Sequence, residues 1–309
     1  MSPQSSNRRS FLRSLFAGAS ALTVARIAPA QPPPPLKKTA LTDRISFISG
    51  NVSNIGVIAS SDGLMMIDGG AAVYSSGLQE MIAAEIGRQK VEILFNTHWH
   101  WDHVGSNELL GKKGTTILAQ ENTKARLTQK IFVEVWNTTI EPLKPAGLPA
   151  STFVNSGKMT FGKEKVEYVH VPLAHTDGDA YVLFPEANVM HTGDLFMNGM
   201  YPTIDYTTGG WIGGMASALD TLLAIGDAKT VVIPGHGPLC SKQEMKESRD
   251  MLHLIHDRLT ALAAKGMSLD EVIAARPTKD LDERWAKGLN GEAFVRAAFL
   301  SISRHQARA

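Results

Sequence analysis

From residue 45 onward, short apolar runs bounded by Gly, Asn, Ser and Asp alternate with segments whose apolar residues recur every three or four positions. Runs at 45–48, 56–59 and 64–67 predict closely spaced strands. Leu78, Met81, Ile82 and Ile86 fall at helical spacing and predict an amphipathic helix over 76–88. A compact run at 91–95 predicts a buried strand. Further strands are predicted at 116–119, 166–171, 180–184, 189–192 and 230–233, with a helix over 212–225. Past Pro238 the pattern is helical only: 242–265, then 268–275 opening on the capping-box string Ser268-Leu269-Asp270-Glu271, then 292–303. Leu252, Ile255, Leu259 and Leu262 share one helical face and predict packing against the preceding domain. The pattern reads as a mixed α/β domain followed by a helical C-terminal extension.

The first forty residues stand outside this pattern. Residues 1–30 hold Arg8, Arg9, Arg13 and Arg26 and no acidic residue, with an apolar stretch at 15–25 and then Ala28-Pro29-Ala30. That order is the order of an export signal, and Asn7-Arg8-Arg9-Ser10-Phe11-Leu12-Arg13 resembles the twin-arginine type, which implies a periplasmic or otherwise exported protein. The apolar stretch is short for a bilayer span, so no stable membrane span is expected after cleavage. Four consecutive prolines then predict a stiff linker over 31–40, which leaves a domain at 41–240 and the helical extension at 241–309. Four of the 31 basic residues and none of the 30 acidic ones lie in the signal, so the remainder carries −3 rather than the +1 of the whole chain. A basic nucleic-acid-binding surface is not expected from that balance; the expected partner is a small-molecule substrate. The single cysteine, Cys240, excludes an internal disulfide framework and a thiolate-rich metal site, and reads as a small apolar residue near a turn.

Ten histidines point instead to imidazole and carboxylate ligands. Directly after the strand predicted at 91–95 comes Thr97-His98-Trp99-His100-Trp101-Asp102-His103-Val104-Gly105. A loop leaving a strand turns positions i and i+2 to one side, which brings His98 and His100 to one metal and leaves Asp102 and His103 for a neighbouring position. Gly105 is expected to let the chain turn sharply into a helix. Three later positions share the strand-end setting: His175 in His175-Thr176-Asp177-Gly178-Asp179, Asp194 in Thr192-Gly193-Asp194, and His236 in Pro234-Gly235-His236-Gly237-Pro238. Together they supply what two zinc ions, or other divalent metals, need: imidazoles, carboxylates and an open position.

The ordered set His-x-His-x-Asp-His followed by His175, Asp194 and His236 resembles the metallo-β-lactamase superfamily over roughly residues 45–238. The resemblance implies a four-layer αβ/βα sandwich with metals at one sheet edge. It places the first zinc on His98, His100 and His175, the second on Asp102, His103 and His236, and Asp194 between them. Asp68, in Ile67-Asp68-Gly69-Gly70, resembles an aspartate that supports a ligand imidazole in that family. It further implies hydrolysis of a carboxylic amide, lactam, lactone or ester by metal-activated water, with Asp102 orienting the nucleophile and relaying its proton. The largest zinc β-lactamase subclass has cysteine where this chain has Asp194 and lysine where it has Met197, so the β-lactam itself is not selected.

Trp99 and Trp101 alternate with the ligands, so at least one of them, with Met197 and Tyr201 in the Gly- and Thr-rich stretch reaching Trp211, is expected to line the substrate pocket, the alternative for the other being to pack beneath the loop. His253 and His256, at i and i+3 on a helix, lack a third ligand, and His170, His191 and His305 belong to no constellation. Two other classes remain open: a mononuclear-iron dioxygenase of persulfide type, which uses a reduced ligand set, and a non-catalytic binding protein on the same fold. All seven ligand positions are filled here, which favours two metals and catalysis.

Overall fold

A computed structural model describes residues 35–308. The first sheet has seven strands. β1 (Lys37–Ala40), β2 (Ile45–Asn51), β3 (Ser53–Ser60) and β4 (Gly63–Ile67) run antiparallel in chain order. After α1 (Ser75–Glu85), β5 (Val91–Asn96) pairs parallel to β4. Following α2 (Asn107–Gly111), β6 (Thr116–Gln120) pairs parallel to β5. The chain then makes α3 (Glu121–Leu127) and a small hairpin, β7 (Ile131–Val133) with β8 (Thr138–Ile140), before β9 (Ser151–Phe153) closes the sheet beside β6. Each parallel pairing needs a crossover, and a helix supplies it.

The second sheet has five strands. β10 (Ser156–Phe161), β11 (Glu164–His170), β12 (Ala180–Phe184) and β13 (Val189–His191) are antiparallel, and β14 (Val231–Ile233) joins parallel to β13 after the crossover helix α4 (Ile212–Leu223). Four helices follow: α5 (Lys242–Ala264), α6 (Leu269–Ala274), α7 (Asp282–Trp285) and α8 (Gly291–Arg308).

Alternation along the strands creates the layers. Met65 and Ile67 of β4 face Val182, Phe184 and Ile233 of the other sheet in a shared core, while Leu64 and Met66 face Leu78 and Ile82 of α1. On the far side, Tyr181, Met190 and Val232 pack under α4, α5 and α8 through Leu219, Leu252, Ile255 and Phe299. The expected four-layer sandwich is therefore present, and the C-terminal helices form its outer layer over the second sheet. Ser241 and Ser268 cap α5 and α6 by capping boxes, the second as the sequence predicts.

One boundary differs from expectation and another is untested. The export signal at 1–30 lies outside the described residues. The linker expected over 31–40 ends earlier, because Lys37–Ala40 pairs with β2 as an edge strand. Its Lys-Lys-Thr-Ala sequence carries no apolar pattern, since an edge strand needs only its backbone hydrogen bonds to join a sheet. Gly105 also acts otherwise than predicted. Its N–H donates to Gly70 O at 2.8 Å, and a β-carbon there would collide with the backbone of Gly70 and Ala72. Close approach of two loops, rather than a left-handed turn, requires the glycine.

Candidate metal centre

The cluster lies at the end of the sandwich where β4, β5, β11, β13 and β14 terminate, and each delivers one part of it. His98, His100, Asp102 and His103 follow β5, His175 follows β11, Asp194 follows β13, and His236 follows β14. The ends are stitched together across the two sheets. Ala180 N–H donates to Thr97 O at 2.8 Å, Asn54 N–H to Gly235 O at 2.8 Å, and the Asn54 amide to Pro234 O and Gly237 O, both at 2.8 Å. Gly235 lies so close to the Asp194 carboxylate that no side chain fits there.

The seven residues fall into two groups: His98, His100, His175 and Asp194, then Asp102, His103 and His236. In the first, His175 Nε2 is 2.9 Å from His100 Nδ1, and Asp194 Oδ2 is 3.4 Å from His175 Nε2 and 3.7 Å from His98 Nε2. In the second, His236 Nε2 is 3.3 Å from Asp102 Oδ2 and 3.4 Å from His103 Nε2. Asp194 spans both, with Oδ1 3.2 Å from His103 Nε2 and Oδ2 3.3 Å from His236 Nε2.

Every one of the five imidazoles turns one nitrogen outward to an oxygen acceptor. His98 Nδ1 donates to Thr97 Oγ1 at 3.1 Å, which itself donates to Asp68 Oδ2 at 2.8 Å. His100 Nε2 donates to Asp205 Oδ2 at 3.2 Å and His103 Nδ1 to Asp68 Oδ2 at 2.7 Å. His175 Nδ1 donates to Thr203 O at 2.8 Å and His236 Nδ1 to Val52 O at 3.1 Å. These bonds fix the tautomers, so the five remaining nitrogens offer lone pairs to one small volume. His98 Nε2 and Asp194 Oδ1 are buried there without a hydrogen-bond partner. Buried polar atoms of that kind need a ligand, and a nitrogen and oxygen donor set without thiolate suits zinc or a similar divalent cation.

The electrostatics agree. Burial, reinforced by neighbouring His103, pushes His98 well below the ordinary imidazole value, so it stays neutral and able to ligate. Burial also acts against charge on His103 and His236, yet the carboxylates of Asp194 and Asp102 overcome it, with Asp68 helping at His103. They hold His103 well above the ordinary value and His236 up to about 10. Burial works against charge on Asp194 too, but His236 and His103 hold its carboxyl well below the usual range. The cluster thus retains positive charge, as protons, where cations would replace them.

Asp68 stands at the end of β4 with φ +62 and accepts from Thr97 N–H and Thr97 Oγ1 at 2.8 Å each, besides His103. Its left-handed backbone marks a residue held where its carboxylate is needed. Two comparable carboxylates escaped the sequence reading. Asp205 orients His100 and accepts from Thr208 Oγ1 at 2.6 Å, and Asp179 accepts from His175 N–H at 2.7 Å and Thr176 N–H at 2.8 Å. Asp179 closes a local turn that the string His175-Thr176-Asp177-Gly178-Asp179 advertises. Asp205 sits 105 residues from the histidine it supports and has no local signature.

A cavity of about 460 Å³ opens over Asp102, Asp194 and His236. Trp101, Met197 and Tyr201 line it. Met197 is held by pairing with His236, and the Tyr201 hydroxyl donates to Asp282 Oδ1 at 3.0 Å. Trp99 does not line it. Only 1% exposed, it packs beneath the loop against Val104, Leu127 and Val133, because alternate residues of the loop face opposite ways. Trp136, Met200 and Leu289 complete the apolar wall, and Trp136 packs edge-on to His100 at 4.5 Å. Among the described residues no lysine or arginine lines this cavity. His253 pairs with Asp220 at 2.8 Å and His305 stacks on Trp211 at 3.7 Å, both away from the cluster.

Comparison with known proteins matches residues 48–238 to the family model of the metallo-beta-lactamase superfamily. A linear primary-alkylsulfatase of Pseudomonas sp. (strain ATCC 19151) is 23% identical over 70% of this chain and 48% of its own length. A metallo-beta-lactamase type 2 of Bacillus sp. (strain 170) is also 23% identical, over 65% of this chain and 72% of its own. Among solved structures, a stereoselective inverting sec-alkylsulfatase from Pseudomonas sp. superposes with a TM-score of 0.65 at 15% identity, covering 85% of this chain and 50% of that one. The chain thus spans about half the length of the sulfatases it matches.

Proposed function

The chain belongs to the metallo-beta-lactamase superfamily, and from that premise we propose that it is an exported dinuclear-metal hydrolase of neutral, largely apolar carboxylic esters, lactones or lactams. The observation that carries this reading is the convergence of five imidazole lone pairs and a spanning Asp194 under an apolar cavity. When bound, two divalent cations, zinc by preference, supply the Lewis acidity that brings water's pKa near 7 and polarises a carbonyl.

The chain's own residues do the rest. Asp102 lines the cavity floor with Oδ2 3.3 Å from His236 Nε2, where it orients the attacking water and accepts its proton. Trp101, Trp136, Met200 and Leu289 exclude water from the substrate's apolar flank. Asp68, Thr97 and Asp205 hold the imidazoles so that no reorientation is needed during the reaction. A lining that, among the described residues, holds no lysine or arginine favours substrates without a carboxylate or sulfate group. A β-lactam is expected to be a slow substrate for that reason, and an alkyl sulfate not to turn over. Export is supported by Arg8-Arg9 and the apolar run after it.

A panel of p-nitrophenyl esters, lactones, β-lactams, thioesters and alkyl sulfates, assayed with the zinc-loaded protein, tests the chemistry. Turnover of neutral esters or lactones that is lost in Asp102→Ala supports it. Turnover of the sulfate alone, or oxygen-dependent turnover with one iron per chain, contradicts it. Cell fractionation of wild type against the Arg8→Lys, Arg9→Lys double variant tests export: the variant is expected to stay in the cytoplasm, and unchanged export contradicts the signal.

A further inference from the structure

A second cavity, of about 500 Å³, lies between the start of α1, α2, α3 and the end of β8. Among the described residues Trp101 is the one that lines both this cavity and the reaction cavity, and it is 44% exposed. The interior is hydrocarbon, formed by Trp99, Val104, Leu109, Leu127, Ile140 and Leu143. Its charges are balanced and mostly engaged elsewhere. Arg126 binds Asp177 at 2.6 Å, Glu141 binds Lys130 at 2.6 Å, and Glu108 accepts from Lys144 N–H at 3.2 Å, leaving Lys112 exposed at the edge. The indole N–H of Trp99 is turned to Thr208 Oγ1 at 3.4 Å. Three of its four charged side chains are engaged in this way, and an apolar concavity that shares Trp101 with the reaction cavity favours hydrocarbon.

We propose that this second cavity binds the hydrocarbon chain of the substrate while its carbonyl lies over the metal cluster, with Trp101 as the divider that the chain passes. The assignment deepens the hydrolase reading and rests on it. A chain seated against the half-buried Leu109, Ile140 and Leu143 extends the apolar contact that the reaction cavity begins, so affinity grows with chain length until the cavity is full.

The test pairs turnover with binding, using the zinc-loaded full chain. p-Nitrophenyl octanoate and p-nitrophenyl acetate report turnover, and 1-octanol, followed by tryptophan fluorescence and calorimetry, reports binding. Leu143→Trp fills the cavity from its rim, and metal content and circular dichroism confirm that it folds. The octanoate-to-acetate ratio of kcat/KM is expected to fall at least tenfold, with octanol affinity falling as far. Leu143→Ala, which widens the cavity, is expected to keep octanol binding. An unchanged ratio and unchanged octanol affinity in Leu143→Trp overturn the site while leaving the hydrolase reading intact. Octanol binding that Leu143→Trp abolishes, in a protein that cleaves no ester, supports the site and removes the hydrolase reading instead.

Discussion

Around the ligands, side chains are held by the strand ends of two sheets and by carboxylates that are themselves saturated. Asp68 accepts three hydrogen bonds, and Asp205 is tied to Thr207, Thr208 and His100. The wall of the reaction cavity is built differently. Trp136 sits in the turn of a hairpin of two three-residue strands, and that turn is tied by Glu134 N–H to Thr207 Oγ1 at 3.1 Å and by Arg304 to Glu134 at 2.7 Å. Arg304 also lies over the Tyr206 ring at 4.8 Å, so the last helix reaches the cavity through a half-exposed ion pair and one cation–π contact. The difference separates chemistry from selection: a buried, cross-linked cradle fixes where bonds break, and an adjustable wall decides what enters.

Substitutions in each region are expected to separate in the same way. Asp194→Ala removes the one carboxylate common to both ligand groups, and turnover is expected to drop at least a thousandfold with loss of metal, measured by steady-state assay and elemental analysis. Asp68→Ala leaves His103 and Thr97 without their acceptor and is expected to weaken metal binding about 10–100-fold in competition with a chelator. Asp205→Ala acts on His100 alone and is expected to fall near the lower end of about that 10–100-fold range. Trp136→Ala is expected to keep metal content and raise KM for apolar esters several-fold. If it lost metal as Asp68→Ala does, the division between cradle and wall would fail. The smallest effect belongs to Arg304→Ala, because a half-exposed ion pair contributes about 1 kcal/mol or less, which corresponds to a KM change of roughly fivefold at most.

The same division governed what the sequence could reveal. All seven ligands sit in short strings at strand ends, where His-x-His-x-Asp-His or a Gly-His turn concentrates chemistry within a few residues. The nine predicted strands carry apolar runs that the two cores cover, and their ranges agree with those observed to within a few residues, whereas β1, β7, β8, β9 and β10 are short or half-exposed and were not predicted. The wall was less legible. Trp136 comes from a hairpin too short to show alternation, and Leu289 from a loop after α7. Asp205 meets His100 only through the fold. Trp99 and Trp101 look equivalent in the string, and only the loop's path decides that one is core and the other is exposed and lines two cavities.

The most direct test of the account is zinc stoichiometry by equilibrium dialysis on wild type, His98→Ala and His103→Ala. Two ions per chain in wild type and one or fewer in each variant are predicted, since each histidine belongs to a different ligand group spanned by Asp194. A single ion in wild type, or two retained in both variants, would contradict it.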